Sequence, residues 1–133
     1  MGTASGQEPV MHIGEVATRT DLSLRSLRHW EEVGLVQPSG RTDGGFRLYT
    51  EADVEKILVI RRMKPLGFSL EQMKSVMSDI ENLDHADSDH STRQAARKHL
   101  DEIKQEAAER RKKLVRQLSM ADEFIDLIDD RLA

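Results

Sequence analysis

The chain has no cysteine among its 133 residues. That single absence removes disulfides, thiolate metal sites, iron–sulfur clusters and thiol redox sensing. No apolar run approaches the roughly 20 residues that a bilayer-spanning helix needs, and the amino terminus lacks a secretory pattern. The expected address is therefore cytoplasmic, without a membrane partner. Bulk positive charge is also missing: the formal net charge is −4. Residues 1–78 carry 10 Lys/Arg against 10 Asp/Glu, and residues 79–133 carry 10 against 14. Any nucleic-acid binding must come from a few basic groups gathered on one face. No nucleophile stands beside a base and no glycine-rich phosphate loop is present, so neither an enzyme nor a cofactor is expected. The last glycine is Gly67 and the last proline Pro65, which leaves half the chain without a helix breaker.

What is present centres on Ser23-Leu-Arg-Ser-Leu-Arg-His-Trp-Glu-Glu-Val-Gly-Leu-Val36. Ser23 suits a helix N-cap, because its hydroxyl can accept from an orphan N–H of the first turn. Leu24 and Leu27 face a core, Arg25 and Arg28 share another face, and Gly34 suits the left-handed residue that ends a helix. A short helix with a packed back and an arginine front, preceded by another from Ile13, is how a helix-turn-helix presents itself to a DNA groove. Gly44-Gly-Phe-Arg-Leu-Tyr49 reads as a hairpin, or wing, beside it.

Thr50 caps the next helix, where Val54, Ile57, Leu58 and Ile60 supply a broad buried face. Ser69 with Gln72 makes a capping box for a further helix ending near Ser78. Asp79–His90 reads as an acidic loop, and Ser91 with Gln94 as a second capping box. About 40 helical residues follow, some 60 Å at 1.5 Å per residue. Their seam runs through Leu100, Ile103, Ala107, Leu114, Leu118, Ala121, Ile125, Ile128 and Leu132 at spacings of 3 and 4, with Arg110 and Arg111 where one register hands over to the next. This is coiled-coil spacing. One long helix cannot bury that seam against some 70 residues, so a homodimer is expected. The domains expected are a flexible lead (1–10), a winged helix-turn-helix (11–78), a linker loop (79–90) and a dimerisation helix (91–133).

The pattern resembles the MerR family of bacterial transcription regulators. The likeness is carried by His12-Ile-Gly-Glu-Val-Ala17, Leu27-Arg-His-Trp-Glu-Glu-Val-Gly-Leu-Val36, Arg41, Gly44-Gly-Phe-Arg-Leu-Tyr49 and Leu66-Gly-Phe-Ser-Leu-Glu71. The resemblance implies a mainly α fold, a winged helix-turn-helix joined to an antiparallel coiled-coil dimer. It also implies a homodimer on a pseudo-palindromic promoter operator in double-stranded DNA, bending and untwisting it for RNA polymerase. Two departures stand out. His29-Trp30 replaces the two aromatics common in the family, and neither a cysteine-bearing metal loop nor a ligand domain is expected after the helix.

Within that motif the expected DNA contacts are Ser23, Arg25, Arg28, His29, Trp30, Arg41, Phe46, Arg47, Tyr49 and Lys64. Arg25 suits a guanine edge, which a guanidinium matches bidentately; Arg28 and Arg47 suit phosphate. Phe46 and Tyr49 lie three apart in a strand and point to opposite faces, so one belongs to the core. Arg61, Arg62 and Lys64 flank Pro65 near the DNA backbone, the last at a position that is commonly basic in the family. His85, Asp87, Asp89 and His90 resemble zinc ligands by residue type, but they sit in a loop rich in Ser and Asp, the helix dipole explains an Asp89 placed just before a helix, and no metal is expected. Two other readings compete: an excisionase-like architectural factor, and a coiled-coil adaptor with an incidental basic helix.

Overall fold

The computed structural model describes residues 10–133. They form two compact units that meet at Ser78/Asp79. In the first, β1 (Met11–His12) leads into α1 (Ile13–Thr20) and α2 (Leu24–Glu32). The hairpin β2 (Gly40–Arg41) and β3 (Arg47–Tyr49) follows, then α3 (Glu51–Met63), a 3-10 turn (Lys64–Leu66) and the start of α4 (Leu70–Asp84). The sheet has the order β1-β3-β2 and is antiparallel throughout, with Met11 opposite Tyr49 and Arg41 opposite Arg47. Strand β1 was not legible in the sequence, since two residues cannot show a period.

Local chemistry accounts for the boundaries. Ser23 Oγ accepts from Ser26 N at 3.0 Å and opens α2. At its end Gly34 has φ +79°. Leu35 N donates to Trp30 O at 2.8 Å and Gly34 N to Glu31 O at 3.0 Å, the paired bonds of a Schellman cap. A Cβ at Gly34 would lie 3.5 Å from Lys74 Nζ, so backbone geometry rather than space selects glycine there. Thr50 and Asp53 form a reciprocal capping box on α3. The buried Asp53 carboxylate also accepts from Ser39 N at 3.2 Å and Ser39 Oγ at 2.6 Å, tying the entry to the wing onto α3. Asp21 adopts φ 56° between α1 and α2, a left-handed position that a short polar side chain tolerates.

Val16, Leu27, Trp30, Tyr49, Val54, Ile57 and Ile60 form the core beneath these elements. Burying an aliphatic side chain of this size contributes about 1.5–3 kcal/mol. Thr20 is also buried, its hydroxyl donating to Val16 O at 2.7 Å. Ser69 and Gln72 make the expected box at the start of α4.

The second unit corrects two expectations. Asp79–Asp84 is helix rather than loop, because the apolar period of Met73, Val76 and Met77 continues through the half-buried Ile80 and Leu83. The long helix α5 runs His90–Leu132, and its N-cap is Asp89, not Ser91. Asp89 Oδ1 accepts from Thr92 N at 2.7 Å. That backbone bond holds the Asp89 carboxyl below its ordinary range. Arg93 closes the intervening turn by donating to His85 O at 2.9 Å. Asp79 and His99 form a side-chain bond between α4 and α5 within this unit.

Candidate nucleic-acid interface

One face of α2 is buried through Leu27 and Trp30, while Arg25, Arg28 and His29 stand exposed on the other. Ser23 stays exposed at the helix start. His29 Nδ1 lies 3.9 Å from Glu32 Oε2, on the outer surface. Lys64, exposed at the 3-10 turn, sits 6.0 Å from the Trp30 ring centroid, at the outer limit of a cation–π contact. Arg25, Ser26, His29, Trp30, Glu32 and Lys64 line one open cavity of 460 Å³. A second, of 340 Å³, opens between α1, α2 and the wing, with His12, Arg28, Phe46 and Arg47 on its walls.

The wing places its aromatics as their spacing requires. Tyr49 is only 2% exposed, whereas Phe46 is 69% exposed at the hairpin tip. Burial raises the pKa of the Tyr49 hydroxyl, with Glu31 adding to the effect. Thr42 N donates to Phe46 O at 2.8 Å and Gly45, at φ 85°, turns the chain. Trp30 and Tyr49 thus carry the surface from beneath, while Arg25, Arg28, His29, Arg41, Phe46 and Lys64 present themselves outward.

Arg41 and Arg47 are cross-strand partners. Like charges directly opposite destabilise a sheet, and Glu31 resolves the conflict. Its Oε2 accepts from Arg41 Nη2 and its Oε1 from Arg47 Nε, so one carboxylate of α2 bridges both strands of the wing. The hydrogen bond from Arg47 to Glu31 raises the Arg47 pKa further. Arg41 Nη1 also donates to Gly45 O at 3.2 Å, bracing the hairpin turn. Sequence reading missed Glu31. The available signal was two arginines facing each other across a hairpin, which calls for an anion between them.

In the long helix, Leu100, Ile103 and Ala107 are half-buried in the single chain. Leu114, Leu118, Ala121, Ile125, Ile128 and Leu132 are exposed. Val115, Met120, Phe124 and Leu127 are exposed apolar residues of the same segment that the seam had left out. Among the described residues no group of three or more His, Asp or Glu could hold a metal ion. His85 Nδ1 instead accepts from Asp87 N at 3.2 Å, and Asp89 serves as the cap. No helix of the described residues is long and apolar enough to cross a membrane.

An arginine-faced second helix, a three-stranded wing pinned to it and a basic turn beyond define a winged helix-turn-helix. The chain belongs to the MerR family: the profile described as MerR HTH family regulatory protein matches residues 11–80, and that described as MerR, DNA binding matches residues 54–121. It is 33% identical over 98 residues to the heavy metal-dependent transcription regulator 2 of Rhizobium meliloti (strain 1021), covering 74% of this chain and 65% of that one. To the HTH-type transcriptional regulator YfmP of Bacillus subtilis (strain 168) it is 43% identical over 75 residues, covering 56% and 54%. Among solved structures, the N-terminus of MtaN, the Bacillus subtilis multidrug transporter activator, aligns at 30% identity with a TM-score of 0.54. That alignment covers 92% of this chain and 98% of the other. The chain thus spans about two thirds or less of the two full-length relatives.

Proposed function

We propose that this protein is a sequence-specific DNA-binding transcription regulator that works as a homodimer on a pseudo-palindromic promoter in the bacterial cytoplasm, without catalytic activity of its own. The observation that carries the reading is the exposed Arg25/Arg28 face of α2, set beside a wing that Glu31 fixes to the same helix. Family membership and the regulator relatives support it.

In this reading α2 enters the major groove. Arg25 reads a base edge and Arg28 holds phosphate, the two jobs that separate specificity from positioning. Arg41, Phe46 and Arg47 meet the adjoining backbone from the wing, and Lys64 with its neighbours Arg61 and Arg62 meets it from the other side. The α5 helices pair the two copies. An antiparallel pair sends the two amino-terminal units toward opposite ends of the coil, so the half-sites lie far apart. Engaging both distorts the DNA between them, at a cost set by the central sequence, and that distortion lets RNA polymerase use the promoter. Mobility of circularly permuted operator fragments tests the mechanism. A bent complex whose affinity depends on the uncontacted centre is expected; a straight complex indifferent to the centre would remove promoter distortion.

A further inference from the structure

The long helix is symmetric about its own residue 116. On a helix of 3.6 residues per turn, Leu100, Ala107, Leu114, Leu118, Ile125 and Leu132 fall within about 40° of one another. Their spacings read 7, 7, 4, 7, 7, which is the same in either direction and centred on Arg116. An apolar stripe of this kind lies on itself when a second copy is turned end for end. Charge beside the stripe has the opposite symmetry. Lys104 mirrors Asp129 and Arg111 mirrors Asp122, each about a point between Arg116 and Gln117. Lys104, Arg111, Asp122 and Asp129 lie on one flank of the stripe. All four are exposed, and none takes part in an ion pair among the described residues.

From this we infer the register of the self-interface, a step that rests on the dimer proposed above. Two copies of α5 pair antiparallel with their two-fold axis at Arg116. Leu114 of one copy lies level with Leu118 of the other, Ala107 with Ile125, and Leu100 with Leu132. Lys104 then meets Asp129 and Arg111 meets Asp122, each twice by symmetry. Sliding the axis by half a heptad toward the amino terminus, which keeps apolar residues facing each other near the middle, sets Leu132 against Arg93 instead of Leu100. It also separates Lys104 from Asp129 and Arg111 from Asp122. A parallel pairing sets residues 104–116, with six basic and two acidic side chains, beside themselves. It does the same to residues 118–130, with five acidic and no basic side chains. The occupant of this face is therefore a second, reversed copy.

The absence of cysteine allows clean spin labelling of the whole 133-residue chain at Arg116→Cys, Asp101→Cys and Asp130→Cys, all on the outer side of the helix. The label at 116 should give the shortest distance between copies. Those at 101 and 130 should each give an axial separation of about 40–46 Å, at 1.5 Å per residue and twice the offset from the axis. Equal short distances at all three sites mean a parallel coil and overturn the register. So does a lengthening at 101 with a matching shortening at 130, or the reverse, of about 10 Å each. Light scattering separates the two claims: a monomer sinks the dimer itself, while a dimer with other distances sinks only this register. Charge reversal gives a second readout. Arg111→Glu should weaken dimerisation roughly tenfold through two symmetric like-charge contacts, and adding Asp122→Arg should restore it. A double variant as weak as the single one contradicts the pairing.

Discussion

Glu31 and Arg47 are joined by a side-chain hydrogen bond that fastens the wing to the recognition helix, and Arg41 completes the bridge from the neighbouring strand. Simple electrostatics says that deleting a carboxylate beside a DNA-binding face should raise affinity. The bridge says the reverse, because Glu31→Ala leaves two arginines facing each other across a hairpin. Glu31→Ala is expected to weaken specific DNA binding about tenfold, on the scale of a lost charge-assisted bond. Titration by fluorescence anisotropy checks it, and an affinity gain would show that Glu31 is only a surface charge.

The arginines are expected to separate by role. Arg25→Ala should lose roughly 1–3 kcal/mol of specific binding and relax preference at one symmetric pair of positions. Arg47→Ala should weaken all sequences about equally and lower the salt slope by about one unit. Binding isotherms on matched and mismatched duplexes across salt distinguish these outcomes, and interchanged behaviour would reverse the assignments.

Assembly can be tested without disturbing the single-chain fold, since Leu118 is 63% exposed there. Leu118→Asp should yield a monomer whose unfolding remains cooperative, because an unpartnered charge in the interface costs several kcal/mol and occurs twice. Light scattering at micromolar concentration reads the result. A persistent dimer would move the interface off this seam.

Acid stability has one traceable contributor. Arg19 donates to both oxygens of Glu51, linking α1 to the start of α3. That bond depresses the Glu51 pKa. A carboxylate whose folded pKa is lowered contributes stability that is complete above its unfolded pKa, about 4.3. The contribution is lost as pH falls through the lower, folded value. Glu51→Gln should therefore be less stable than the parent near neutrality, and the gap should close below about pH 4. Urea unfolding at stepped pH checks this. A gap unchanged down to pH 2 would assign the difference to something other than ionisation.

Much of this molecule could be read before its fold was seen, and for local reasons. Ser23, Thr50 and Ser69 act through bonds to residues three further on, so the cap and its helix sit together in the sequence. Gly34 announces itself because few residues accept its positive φ. What stayed hidden depends on partners distant along the chain. Glu31 meets Arg47 across 16 residues, and Asp53 meets Ser39 across 14. Strand β1 exists only because Tyr49 and Leu48 offer it an edge. The expected loop at 79–84 failed for a different reason: its acidic residues masked an apolar period that runs on through Ile80 and Leu83.

The central claim is that a symmetric pair of these chains reads DNA through α2, and selection of binding sites from a random duplex pool tests it most directly. The wild-type protein should enrich an inverted repeat with two separated half-sites. Arg25→Ala should enrich the same repeat with preference relaxed at one position in each half. Enrichment of a single asymmetric site, or of no sequence at all, would contradict the account.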